Sequence, residues 1–194
     1  MQTALWDERF SEKVEKGSFE DFKRRAEAVS TEVYLTNIKD AKTILQEIFK
    51  RENAKNIIAF KSSLVDNLDI DKIAKDMNIN LFFEGGKKEA NIADIGISEM
   101  ECALAETGSV IEWSYPVWKR LVSAMPGVHI ALVNSGRIVK DFEALFDLLK
   151  EKFESGHISF ITGPSRTADI ERVLTIGVHG PSKLIVMVIE GGEQ

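Results

Sequence analysis

A single cysteine in 194 residues removes several chemistries at once. Cys102 has no second thiol to pair with, which excludes an intrachain disulfide and a zinc or iron–sulfur site built on several thiolates of this chain. The three histidines, His129, His157 and His179, stand apart with no Asp, Glu or Cys at ligand spacing, so no metal is expected. No apolar run approaches the ~20 residues needed to cross a bilayer. Met1 to Phe10 carries acids rather than an apolar core and does not read as a signal peptide. No Lys/Arg block forms a stripe, and the net charge of −6 argues against a nucleic-acid backbone as partner. There is neither a Walker A sequence nor a G-x-G-x-x-G fingerprint, and Ser165 is not in a G-x-S-x-G elbow, so P-loop, ordinary NAD-binding and hydrolase-triad readings lack support. What remains is a soluble, cytoplasmic protein with 44% apolar and 29% charged residues, enough of both for one folded domain over 1–194.

Hydrophobic periodicity supplies the fold class. Residues 4 to 29 read as two short helices, with 1–30 forming an N-terminal helical extension and Ser18 capping the second helix ahead of Phe19, Phe22 and Ala26. Glu32 to Leu35 predicts a strand. Asn37 begins a helix with Ile38, Ala41, Ile44, Leu45, Ile48 and Phe49 on one stripe. Strands are expected at Asn56 to Phe60, Ile79 to Phe83, Ala93 to Ile97, Ser109 to Trp113, Val128 to Val133 and Leu184 to Ile189. Between them, a loop or a helix start is expected at Ser62-Ser63, and helices are expected over Ile70 to Met77, over Glu99 to Glu106 capped by Ser98, over Trp118 to Ala124 and over Lys140 to Phe153. Gly85 to Lys88 reads as an exposed turn. Strands alternating with helices, several apolar throughout, imply an α/β fold with a mostly parallel central sheet and helices on both faces.

Such sheets bind ligands at the carboxyl ends of their strands, and three loops are candidates there. In Ile158 to Glu171 a β-branched run stops at Gly163-Pro164 and a helix is expected to follow, with Thr167 as N-cap and Asp169 favouring its dipole. A helix start is a natural anion site. Gly163 permits close backbone approach, Ser165 and Thr167 offer hydroxyls, and Arg166 offers a planar fork. The second loop is Glu106-Thr107-Gly108. If Glu106 lies in a last helical turn it opposes the helix dipole at a cost of ~0.3–1 kcal/mol. That cost suggests a role as base, hydroxyl partner or nucleophile, against the plain alternative of a C-cap with Gly108 at positive φ. The third loop holds His179 and Gly180. His129, inside an apolar strand, reads as a satisfied core histidine, with a subunit contact in a homo-oligomer as the alternative, and Cys102 reads as a buried inert thiol. Lys119-Arg120 offers cations that could reach an anion.

Gly96-Ile97-Ser98, Ala103 to Ser109, Pro126 to Ile130, Phe160 to Glu171 and Gly177 to Pro181, in this order and spacing, resemble the lactate utilisation protein C family, the LUD domain. The G-P-S-R-T-A-D-I-E block with G-V-H-G-P is the specific part of the match. The resemblance implies a fold like the ribose-phosphate isomerase, glucosamine-phosphate deaminase and CoA-transferase group. It also implies a place beside iron–sulfur partner proteins that oxidise L-lactate to pyruvate. The clusters would then sit in the partners, this chain being the short, cluster-free member with no cofactor of its own and a small carboxylate or phosphate as ligand. Family segments often hold an Arg where Arg120 stands. Glu106-Thr107-Gly108 is also similar to the Glu-x-Gly of class I CoA-transferases, which implies, as an alternative, a stand-alone transferase or isomerase with Glu106 as nucleophile.

Overall fold

The structure, a computed structural model, describes residues 14–149, 157–167, 175–176 and 180–191, with the backbone alone described at 166–167 and 175–176. Its centre is a six-stranded, all-parallel sheet made of β1 (Glu32–Asn37), β2 (Asn56–Ala59), β3 (Asn80–Phe82), β4 (Ile95–Glu99), β7 (Val128–Asn134) and β12 (Lys183–Glu190), in the order β1-β12-β7-β4-β2-β3. Every residue of β7 is buried, and so is Leu184–Ile189 of β12, because both faces of the sheet are covered.

One face is covered by α2 (Ile38–Arg51), α3 (Ser63–Asn67) and α4 (Ile70–Asp76). Their stripe of Leu45, Ile48, Phe49, Leu64 and Ile73 packs on Ile57, Ile95, Ile130 and Ile185. The expected start at Asn37 holds, its Oδ1 accepting from the Asp40 N–H at 3.0 Å; of the loop or helix start expected at Ser62-Ser63 the helix is found, with Ser62 capping α3. The opposite face carries α1 (Phe19–Ala28), α5 (Lys87–Ile92), α6 (Val117–Ala124) and a second, smaller sheet. Ser18 Oγ accepts from the Asp21 N–H at 3.1 Å and caps α1. The helix expected before it falls largely on residues 1–13, outside the described residues. α5 begins where an exposed turn was expected; the Glu89 carboxylate reaches back to the Gly86 N–H at 2.8 Å and fixes its first turn.

The second sheet replaces the expected Glu99–Glu106 helix. β4 continues to Glu99, β5 (Cys102–Leu104) follows, and a turn over residues 105–108 leads into β6 (Ser109–Trp113) as an antiparallel hairpin. β8 (Ile138–Val139) and β9 (Ile158–Ile161) complete the order β8-β5-β6-β9. This sheet is sandwiched. Ala103 and Val110 face the central sheet, while Cys102, Leu104 and Ile111 face α7 (Phe142–Leu149). With apolar residues on both faces and only three positions, β5 has no period that would separate strand from helix. Ser98 is accordingly not a cap but a buried strand residue. α7 is described to Leu149; the rest of the helix expected to Phe153 lies outside the described residues. No helix among the described residues is long and apolar enough to cross a membrane.

Candidate functional site

Three residues separate the end of α6 from the start of β7, so its C-terminal turn sits at the amino end of the sheet. Lys119 and Ser123 share its inward face at i, i+4, and Arg120 is half-buried beside them. The Lys119 Nζ donates to Glu101 Oε1 at 2.7 Å, and Glu101 Oε2 accepts the Trp113 N–H at 2.6 Å. Ser123 Oγ donates to Glu112 Oε2 at 2.9 Å, and Ser114 Oγ donates to the same oxygen at 2.7 Å. Ser114 is joined in turn to Ser159 Oγ at 2.6 Å. Glu112 is wholly buried. Desolvation raises its pKa above the usual carboxylate range, against the pull of Ser114, Lys119 and Ser123, and its Oε1 has no partner among the described residues.

His129 lies one residue into β7, in register with Gly96 and Leu184 on either side. Its Nε2 is 2.9 Å from Ser98 Oγ, and its Nδ1 has no partner among the described residues. Burial, assisted by the Lys119 charge, pushes its pKa down to about 3, so the imidazole is neutral. The satisfied core histidine expected from sequence is thus only half satisfied.

His129 forms part of the wall of a cleft of about 400 Å³ between α6 and the segment after β9. Arg120 and Ser123 bound it on one side; Ser159 to Ser165 bound it on another. Gly180, Pro181 and Leu184 close the third. The Ser165 N–H donates to the Pro181 carbonyl at 2.8 Å and holds the two loops together. Gly163 sits at φ +70°, where a Cβ would stand 2.5 Å from the Val29 carbonyl oxygen, so only glycine fits. The cleft therefore opens at the amino ends of β7 and β12 and not at the expected carboxyl ends. The physical reason is that β9 belongs to the small sheet, and its carboxyl end abuts the chain entering β12.

Arg120, Gly163, Ser165 and Gly180 come together in this cleft. Arg166 and Thr167 follow directly as β10 (Arg166–Thr167), paired antiparallel with β11 (Thr175–Ile176). Their side chains, Asp169, His179 and the helix expected near Ala168 lie outside the described residues. Glu106, Thr107 and Gly108 do not join the cleft. Glu106 is exposed in the hairpin turn and lines a separate depression with Lys16, Asp21, Arg24 and Lys140. Its Oε2 accepts the Phe142 N–H at 2.9 Å and so caps α7. Gly108 does have positive φ, +70°, but in the hairpin turn, pressed on the backbone of Ala26, rather than at a helix end. The Thr107 hydroxyl reaches the cleft only indirectly, through Ser109 (2.7 Å) to Thr162 (2.6 Å).

Sequence reasoning passed over Glu112, Ser123 and Glu101. A signal was present for Glu112, which falls two residues after Val110 on the inward face of β6, a position an acid occupies at high desolvation cost. Chemically, the described residues of the cleft offer one cation, a row of hydroxyls, a neutral imidazole and a buried acid held one hydroxyl behind its wall.

A LUD domain family model matches residues 19–189. The chain is 29% identical over 185 residues to Lactate utilization protein C of Geobacillus sp. (strain WCH70), a match covering 88% of this chain and 77% of that protein. Against Lactate utilization protein C of Bacillus subtilis (strain 168) the identity is 37% over 107 residues, 53% of this chain and 45% of the relative. The crystal structure of a DUF162 family protein from Deinococcus radiodurans superposes with a TM-score of 0.65 at 18% identity, over 88% of this chain and 94% of the other, a likeness of fold. With nearly the whole described core inside the family match, the chain belongs to the LUD domain family.

Proposed function

We propose that this chain is a component of a lactate-utilisation system without redox chemistry of its own, and that its α6–β9 cleft holds a small carboxylate while iron–sulfur partner proteins carry the electrons. The observation that carries the ligand is Arg120. It is a half-buried guanidinium on the cleft wall with no ion pair among the described residues. An arginine so placed is matched by a carboxylate in a two-bond fork. The names of the relatives support the system, and a lone, fully buried cysteine supports leaving clusters to other chains.

Calorimetric titration with L-lactate and pyruvate tests the reading. Loss of the charged hydrogen bonds in Arg120→Gln should weaken binding by about 1.5–3 kcal/mol, roughly 10- to 150-fold. Unchanged affinity in that variant would sink the carboxylate reading, and inorganic phosphate binding in place of both acids would redirect it. Affinity purification of the tagged chain from its own cells should bring down cysteine-rich, cluster-bearing proteins. A solitary chain that turns over lactate unaided would contradict the accessory role.

A further inference from the structure

We propose that His129 is a specificity residue of the cleft, its Nδ1–H donating a hydrogen bond to an uncharged oxygen of the ligand while Arg120 holds the ligand's anionic group. This inference rests on the carboxylate reading of the cleft and adds the second half of the ligand's description.

The assignment follows from hydrogen-bond accounting. The Ser98 hydroxyl has a single partner among the described side chains, His129 Nε2 at 2.9 Å. A buried hydroxyl hydrogen needs an acceptor, so Ser98 donates and Nε2 accepts. In a neutral imidazole the hydrogen then sits on Nδ1. That Nδ1–H is buried, without an acceptor among the described residues, and belongs to a side chain that lines the cleft. An unmet buried donor of this kind is costly in a purely structural role and is satisfied when a ligand supplies the acceptor.

The acceptor is an uncharged one because, among the described residues, no cation of the cleft besides Arg120 is free to meet a second negative charge. Lys119, the nearby cation that acts on His129, is committed to Glu101 at 2.7 Å. A second negative charge buried against a neutral imidazole would be left unpaired. The cleft is therefore built for an anion that also carries a keto or hydroxyl oxygen, and it discriminates against the same anion without that oxygen.

Titration of the full chain with pyruvate and with propionate reads this directly. The wild-type protein should prefer pyruvate by ~10-fold, the value of one hydrogen bond in a desolvated site. His129→Phe should lower that preference to less than about 3-fold while leaving propionate affinity in place. A preference that survives His129→Phe overturns the proposal. If the variant does not fold, nitrogen-15 NMR of histidine-labelled wild-type protein gives the same answer. Pyruvate should move the His129 Nδ1 resonance and propionate should not, and an Nδ1 that responds to neither or to both overturns the proposal. Binding of both acids that depends on Arg120 while His129 stays silent to both fails this inference alone. Failure of both acids to bind removes the carboxylate reading and this inference with it.

Discussion

A Cβ placed on Gly96 would stand 2.0 Å from the Val122 carbonyl oxygen, so α6 lies on β4 at backbone-contact distance. The backbone of a helix turn cannot swing aside as a side chain can. Gly96→Ala should therefore lift α6 off the sheet, at a cost of about 3 kcal/mol, the upper end for overpacking. Urea denaturation checks the stability. Because α6 carries Arg120 and Ser123, pyruvate affinity should fall in the same variant even where it remains folded, a coupling that an ordinary core substitution would not show.

That packing explains why some of the site was readable and some was not. Arg120, Gly163, Ser165 and Gly180 stood out because glycine, hydroxyl and guanidinium chemistry in loops has few structural uses, and the fold brings all four to one cleft. His129 did not stand out. It is embedded in Val128–Asn134, where its neighbours are uniformly buried, and a histidine that meets one of its two hydrogen bonds reads the same in sequence as one that meets both. Glu106 was read through a helix that does not exist. Its supposed conflict with a helix C-terminus becomes a favourable contact with the N-terminus of α7 once Cys102–Leu104 is a strand. The parallel sheet was legible because Val128–Val133 and Leu184–Ile189 are too apolar for any one-sided role. The small sheet was not, because a layer covered on both sides loses the alternation that marks a strand.

The reassignment of Glu106 carries its own test. Glu106→Ala removes the acceptor for the Phe142 N–H and should destabilise the protein by ~1 kcal/mol, the usual value of a helix cap. Carboxylate binding in the α6–β9 cleft should be unchanged, since Glu106 lines a different depression. A loss of pyruvate affinity without loss of stability would return Glu106 to the site. Intact-mass analysis after incubation with acyl-CoA donors completes the comparison, because a covalent adduct on Glu106 would revive the transferase alternative.

The neutrality of His129 gives stability a pH dependence of definite sign. In the unfolded chain its ordinary value is 6.5, while burial and the Lys119 charge push it down to about 3 in the folded protein. Between those limits the unfolded chain binds a proton that the folded chain does not, so stability rises with pH. The contribution is complete above about pH 6.5 and is lost as pH falls toward 3. By pH 5 the loss amounts to about 2 kcal/mol, one and a half pH units at ~1.4 kcal/mol each. Glu112, raised by burial, runs the opposite way: its contribution is complete below the ordinary carboxylate value and declines above it. It is present in both wild type and His129→Phe and largely cancels when the two are compared. Denaturant unfolding at pH 7.5 and pH 5 should therefore show wild type losing about 2 kcal/mol more than His129→Phe over that interval. Equal losses would mean that the imidazole titrates alike in both states, and a histidine so exposed to protons could not serve as the neutral donor of the cleft.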